Sequence, residues 1–347
     1  MYIHTSLSST LELRQLSQQR KATHTGHPMS MVRCDSIQGP LPRLRYTLQP
    51  ESSDHPAASL DAREHQLSNA KDSEMEGEDR GEKAVAAMEA CYQGFDPAAY
   101  LQYNYTPPRA DFTRSDSIVP WKLKCLHEAF SEDGMKGEVL VDVGSGPTLY
   151  QVMSGCEHFD RVVLSDFLEV NRKELRIWLQ DGKSSLDWTP YLKFVCELEG
   201  RSPSAWIEKA KRLRSVVTDV LPINIHQPCP LPSGSLPSTG ADCLVSSFCL
   251  ESVSPDLSSF TQALGHLSGL LRSGGHLLLI GALGESFYLG APGLRIPVVP
   301  LDEAQVCSSL RASGFHLLQL SVYHLPPDMR VGVDDVTGVF FAKARKP

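Results

Sequence analysis

An apolar run, Val139-Leu140-Val141-Asp142-Val143, passes directly into Gly144-Ser145-Gly146-Pro147-Thr148, and this junction constrains the fold more than any other stretch. It has the form of a strand handing over through a glycine turn to a helical segment. Glycine is needed at such a turn because a Cβ would block both the left-handed dihedrals and the close approach of a ligand to the backbone. The third glycine of a dinucleotide fingerprint is missing, with Leu149 in its place, and the acid Asp142 precedes the first glycine. The pattern disfavours a pyrophosphate, and with it an NAD-dependent oxidoreductase, and favours an adenosyl ligand. A second apolar run, Val162-Val163-Leu164, ends in Ser165-Asp166-Phe167 about twenty residues past the turn, where a strand-end carboxylate can take a ribose diol. Standing alone, Asp166 would read as the cap of a helix over Leu168 to Gln180. After this turn, ribose binding is the expectation.

From Glu82 onward the periodicities alternate as in a doubly wound α/β sheet. Strands are expected at Val139–Val143, Arg161–Ser165, Leu221–Ile225, Ala241–Ser247, His276–Gly281, His316–Tyr323 and Val339–Ala344. Helices are expected at Lys83–Cys91, Pro120–Phe130, Ser204–Thr218, Asp256–Leu271 and Leu301–Ser313. The pair Gly274-Gly275 is expected to cap the helix before it, and the strand that follows is apolar at every position, as a strand buried on both faces should be. Ligands of such a sheet bind beyond the carboxyl ends of its strands.

Residues 1 to about 82 are rich in Ser, His, Gln, Pro and charge, including the cluster Asp72, Glu74, Glu76, Glu78 and Asp79. Such a segment cannot bury enough to offset its ordering entropy, so it is expected to be a disordered extension with weak local helix at Leu11 to Gln19. The domain that follows divides into a helical lid, 83–135, and an α/β core, 136–347. No apolar run is long enough to span a bilayer and the N-terminus lacks a secretory core, so the cytosol is the expected compartment, with no membrane partner. The nine cysteines lack CxxC spacing; neither a disulfide framework nor a metal site is expected. Forty-one acids against 33 Lys and Arg give a formal charge of −8, which argues against nucleic acid as a partner. A monomer is expected.

Three carboxylates, Glu251, Glu285 and Asp334, fall after strands or in adjoining loops. Each alone reads as a solvated loop acid; together they suit a protonated amine. Tyr92, Phe95, Tyr100, Tyr103 and Tyr105 lie ahead of the sheet, where rings can cover a cofactor and tolerate a sulfonium, or dock a helix on the sheet.

The glycine turn with Asp166 resembles the S-adenosylmethionine site of class I methyltransferases. Longer motifs narrow this: Tyr100 to Arg109 (YLQYNYTPPR), Pro120 to Leu123 (PWKL), Asp166 to Arg172 (DFLEVNR), His226 to Pro228 (HQP), Phe248 to Leu257 (FCLESVSPDL) and Gly332 to Val336 (GVDDV). They are similar to the small family of nicotinamide, phenylethanolamine and thioether methyltransferases, from about Val85 to the C-terminus. The resemblance implies a seven-stranded Rossmann-like core, S-adenosyl-L-methionine as methyl donor, and a small aromatic amine as acceptor. It implies that Tyr92, Tyr100, Tyr105, Gly144, Ser145, Tyr150, Asp166, Phe167, Asn171, Asn224, Ile225 and Ser247 surround the donor. Asn104, Arg109, Ile118, Lys122, Phe248, Tyr288 and Val339 would form the acceptor pocket, with Glu251, Glu285 and Asp334 acting on the amine. Glu285 and Glu251 would hold the ammonium and help remove its proton, directly or through water, Asp334 would fix the amine and β-hydroxyl, and Lys122 would be a counter-charge to these acids. The implied reaction is N-methylation of a phenylethanolamine, noradrenaline to adrenaline, as in catecholamine biosynthesis; the alternative is a nicotinamide-type heteroaromatic acceptor, which needs no cluster of acids. A non-catalytic protein that keeps the donor pocket is the rival from another class. One departure stands out: the family usually carries an aspartate where this chain has Asn224, at the adenine end. A neutral acceptor there is expected to weaken donor binding by up to about 1 kcal/mol, so that Asn224→Asp would tighten it.

Overall fold

The computed structural model describes residues 81–132 and 135–347. The expected extension lies outside the described residues apart from positions 81 and 82, which open a helix over 81–91 (α1). After it come α2 (Pro97–Asn104), α3 (Ile118–Glu132), β1 (Gly137–Val143), β2 (Phe159–Asp166), α4 (Glu169–Leu179), α5 (Thr189–Leu198) and α6 (Trp206–Val216). Then follow β3 (Val217–Pro222), β4 (Ala241–Ser247), α7 (Leu250–Val253), α8 (Leu257–Leu270), β5 (Leu271–Leu283), the hairpin β6 (Phe287–Ala291) and β7 (Leu294–Pro297), α9 (Glu303–Ala312), β8 (His316–His324) and β9 (Gly338–Arg345).

Seven strands form one sheet in the order β3-β2-β1-β4-β5-β9-β8. All neighbours are parallel except β9, which runs antiparallel to both β5 and β8. This is the seven-stranded, Rossmann-like α/β fold expected from the sequence. Alternation along the central strands feeds two cores, because successive side chains point to opposite faces. Val139, Val141 and Val143 pack with Leu277, Leu279 and with Phe260, Leu264 and Leu267 of α8. Leu140, Leu278 and Ile280 pack on the other face with Leu123 and Leu126 of α3, Leu192 and Val195 of α5, and Leu213 of α6.

Three local expectations are corrected. The third strand begins at Val217, four residues before the expected start, because α6 stops at Val216 and the β-branched Val217-Thr218 follows it into the strand at once. Pro222 ends that ladder, which moves Asn224 and Ile225 off the strand and beyond its carboxyl end. The Gly274-Gly275 pair is no helix cap: α8 ends at Leu270, and the pair sits in β5 where its register against β4 slips between Ala241 and Cys243. Gly274 takes φ 75° there, and a Cβ on Gly275 would lie 2.9 Å from the Arg272 carbonyl oxygen. The helix α5 and the β6–β7 hairpin were not expected. The signal for α5 was a proline in its first turn and the stripe Tyr191, Leu192, Val195, Cys196; for the hairpin it was Pro292-Gly293 between two short apolar runs, with Gly293 at φ 77°.

Candidate active site

The ends of β1, β2 and β4 converge on one pocket. At the end of β1 the chain turns through Gly144 at φ 66° and Gly146 at φ 58°, and a Cβ on Gly144 would drive into Cys249 Sγ. The backbone is thus bare where a ligand would lie. At the end of β2, Asp166 is 7% exposed. Its Oδ2 accepts from the Gly146 N–H at 2.7 Å, and its Oδ1 accepts from Leu168 N–H at 2.8 Å and Asn171 Nδ2 at 3.0 Å. The carboxylate is oriented across the mouth of the glycine turn rather than spent on an N-cap, since no side chain caps α4. Burial pushes the Asp166 carboxyl up, against the hydrogen bonds that favour its ionised form. Asp142 lies fully buried below the turn, and burial pushes its carboxyl up to about 8.

Around this corner a cavity is lined by Tyr92, Tyr100, Tyr105, Gly144, Ser145, Asp166, Phe167, Asn171, Asn224, Ile225 and Ser247. Eleven of the twelve expected donor-site residues therefore meet at one cavity. The exception is Tyr150, which is fully buried; its hydroxyl shares a 2.5 Å hydrogen bond with Ser247 Oγ, so it supports the wall from behind. Residues not expected also line the cavity: Glu89 from α1, His226 after β3, and Cys249, Ser252 and Val253 at α7. The last three flank Phe248 and Glu251 in sequence and were findable; Glu89 lay in a helix that carried no motif.

A second cavity adjoins the first. It is lined by Asn104, Arg109, Ile118, Lys122, Glu285, Asp334, Val336 and Val339, and it shares Tyr100, Tyr105, Phe248, Ser252 and Tyr288 with the donor-side cavity. The two chambers thus meet at a wall made mostly of rings. Phe248 belongs to that wall and holds φ 54°, a conformation that costs a non-glycine residue of order 1 kcal/mol or more and that clusters at functional sites. Its N–H donates to the Ile280 carbonyl at 2.9 Å, which locks the turn. Burial holds the phenols of Tyr92, Tyr100, Tyr105 and Tyr288 protonated by raising their proton affinity.

The expected acidic cluster is resolved into three different environments. Glu285 lines the second cavity, 6% exposed, and no donor among the described residues hydrogen-bonds to it. It is presented there because Gly284 turns at φ 62° while Asp335 accepts from the Ser286 N–H at 2.8 Å. Burial, then the nearby charges of Asp334 and Glu251, push the Glu285 carboxyl well above the ordinary carboxylate range. Asp334 also lines the cavity, but its carboxylate is gripped by Arg109 through two bonds of 2.6 and 2.8 Å, and Arg109 further donates to Asn104 Oδ1 at 2.8 Å. Asp334, expected to fix the amine and the β-hydroxyl, is thus in the cavity wall with its charge already compensated. Glu251 reaches neither cavity. It is fully buried on α7, its Oε1 accepts from Ala282 N–H at 2.9 Å, its Oε2 is unpartnered, and burial raises its carboxyl to about 7. Glu251, expected to act on the amine directly or through water, thus lies behind the wall rather than in it.

Lys122 is corrected as well. Its Nζ lies 4.8, 4.5 and 4.8 Å from the ring centroids of Tyr105, Tyr150 and Phe248, not against an acid. Burial, with the Arg109 charge behind it, lowers its ammonium to about 7. Among the described residues no group of His, Cys, Asp and Glu is arranged to hold a metal ion, and no helix is long and apolar enough to cross a membrane.

A family model described as the NNMT/PNMT/TEMT family matches residues 82–347, which hold the whole sheet. A phenylethanolamine N-methyltransferase from Sus scrofa is 51% identical over 268 residues, covering 77% of this chain and 93% of that protein. The Homo sapiens protein of the same name is 49% identical over 261 residues, covering 75% and 92%. A nicotinamide N-methyltransferase from Sus scrofa is 37% identical over 243 residues, covering 70% and 89%. The chain belongs to the NNMT/PNMT/TEMT family.

Proposed function

We propose that this chain transfers a methyl group from S-adenosylmethionine to the primary amine of a phenylethanolamine, forming adrenaline where the acceptor is noradrenaline. The observation that carries the reading is the pair of cavities joined at the wall of Tyr100, Tyr105, Phe248 and Tyr288, with Glu285 on the acceptor side and the bare glycine turn on the other. The relatives named for phenylethanolamines are the more similar ones, at 49–51% identity against 37% for the nicotinamide enzyme. A neutral heteroaromatic also leaves a buried carboxylate such as Glu285 without a partner, which is costly.

When bound, S-adenosylmethionine supplies a methyl group on a positive sulfur: the S–CH3 bond breaks as the amine lone pair forms N–CH3, and neutral S-adenosylhomocysteine is left. The protein has to align the nitrogen, exclude water and free the lone pair. Gly144 and Ser145 would carry the amino-acid part of the donor, Asp166 its ribose, and Asn224 and Ile225 its base. The rings at the shared wall exclude water and present electron-rich faces to positive charge. Glu285 would accept the proton of the bound ammonium, directly or through one water; its raised proton affinity brings it closer to that of the amine than an ordinary carboxylate is. The Arg109–Asp334 pair and Asn104 form a rigid polar floor that would position the acceptor's hydroxyl groups. Lys122, seated among three rings, would close the chamber beside Phe248.

The cytosol is the compartment we propose, since no disulfide joins cysteines among the described residues. A monomer suffices, because both cavities are lined from one chain. The test is incubation with labelled S-adenosylmethionine and, separately, noradrenaline, octopamine, dopamine and nicotinamide. Label is expected in the phenylethanolamines; label in nicotinamide alone would sink the assignment.

A further inference from the structure

The donor-side cavity holds one carboxylate to which the reading above gives no task. Glu89, on α1, lines the cavity beside Asn224, Ile225 and His226, and its Oε1 accepts a hydrogen bond from Asn224 Nδ2 at 3.0 Å. The other end of that amide is engaged too, since Asn224 Oδ1 accepts from the His226 N–H at 3.0 Å. Together the two bonds fix which way the amide faces. Turned over, it would set its oxygen against the Glu89 carboxylate and its NH2 against the His226 N–H.

This corner is where the base of an adenosyl ligand would sit. Passing outward across the sheet, the glycine turn follows β1, Asp166 ends β2, and Asn224 and Ile225 follow β3. A ligand with its sulfur at the first and its ribose at the second brings its base to the third. The adenine edge carries an exocyclic amino group, and a carboxylate accepts from such a donor about twice as strongly as a neutral carbonyl does. Of the lone-pair sites of Glu89, the one facing Asn224 is taken; the rest remain for a ligand.

We propose that Glu89 is the residue through which this chain recognises the adenine amino group, with Asn224 as the positioning residue that holds the carboxylate at the cavity wall. The inference rests on the adenosyl reading above and goes beyond it. The anionic acceptor that the resemblance implies after β3, at the position of Asn224, is here supplied by α1. Recognition of the base is thereby tied to the seating of α1, whose following residue Tyr92 donates its hydroxyl to the Ser252 carbonyl at 2.7 Å. The expectation for Asn224→Asp reverses, because that change sets a second carboxylate against Glu89.

The test is calorimetric titration of the full-length protein with S-adenosylhomocysteine and with S-inosylhomocysteine, which bears a 6-oxo group in place of the amino group. Glu89→Gln should weaken S-adenosylhomocysteine binding about fivefold and shrink the preference for the adenosyl over the inosyl ligand. Asn224→Asp alone should also weaken binding, and the double variant Glu89→Gln with Asn224→Asp should recover most of the loss, which a merely structural role for Glu89 would not produce. The inference is overturned if Glu89→Gln binds as the wild type does with the preference intact, or if Asn224→Asp binds more tightly than the wild type. Failure of the wild-type protein to bind S-adenosylhomocysteine at all would overturn the adenosyl reading along with it.

Discussion

Replacing Glu285 with glutamine is expected to lower kcat toward a phenylethanolamine by about 10²–10³-fold, the range of a positioned proton acceptor, with the affinity for S-adenosylhomocysteine largely kept. The two effects separate because Glu285 lines the acceptor chamber and not the donor chamber. Glutamine preserves shape and polarity but cannot take a proton. The pH profile carries the sign. The Glu285 carboxyl titrates well above 4.5 because it is buried and faces Asp334 and Glu251. In the wild type, kcat/KM should therefore climb with rising pH through a carboxylate range displaced upward. In the variant that contribution disappears, and the rate should follow only the fraction of unprotonated amine in solution. Equal loss of turnover and donor affinity would mean that Glu285 acts on the donor or on the fold instead.

The second large effect is on stability. Arg109→Ala should destabilise the protein by about 3–5 kcal/mol, the usual cost of stranding one member of a buried ion pair. The Arg109 and Asp334 side chains are only 6% and 5% exposed, so water cannot replace the lost bonds without opening the site. Arg109 also ties Asn104 on α2 and the Met329 carbonyl to the same point, so α2 should loosen with it. Removing both charges, as Arg109→Leu with Asp334→Leu, should recover part of the loss, because no charge is then left unpaired. Chemical denaturation of the single and double variants measures both quantities. A single variant within about 1 kcal/mol of the wild type would show that the pair is not held as described.

The strands on either side of the glycine turn and the donor corner were legible in the sequence because each is a local signal. Val139 to Thr148 writes strand, turn and bare backbone in ten consecutive residues, and Asp166 lies at a fixed remove from it. The unbroken apolar run of Leu277 to Ile280 likewise states that both faces of β5 are covered. What escaped was set by tertiary contact. Glu251, Glu285 and Asp334 look alike in the sequence, but one lies behind the wall on the Ala282 N–H, one faces the chamber, and one is claimed by Arg109, 225 residues away along the chain. The Gly274-Gly275 pair looked like a helix cap because a bulge inside a strand uses the same residue type for the same dihedral reason. Glu89 carried no motif at all; only the packing of α1 against the turn after β3 reveals its neighbour.

The claim on which the rest depends is that the donor's sulfur points from the glycine turn into the chamber that contains Glu285. A crystal structure with S-adenosylhomocysteine and a phenylethanolamine bound tests it most directly. The expected result places the sulfur at the wall of Tyr100, Tyr105, Phe248 and Tyr288, with the amine nitrogen in line with it and within hydrogen-bond reach of Glu285, directly or through one water. An amine directed away from Glu285, or a sulfur facing solvent with the ring wall intact, would contradict it.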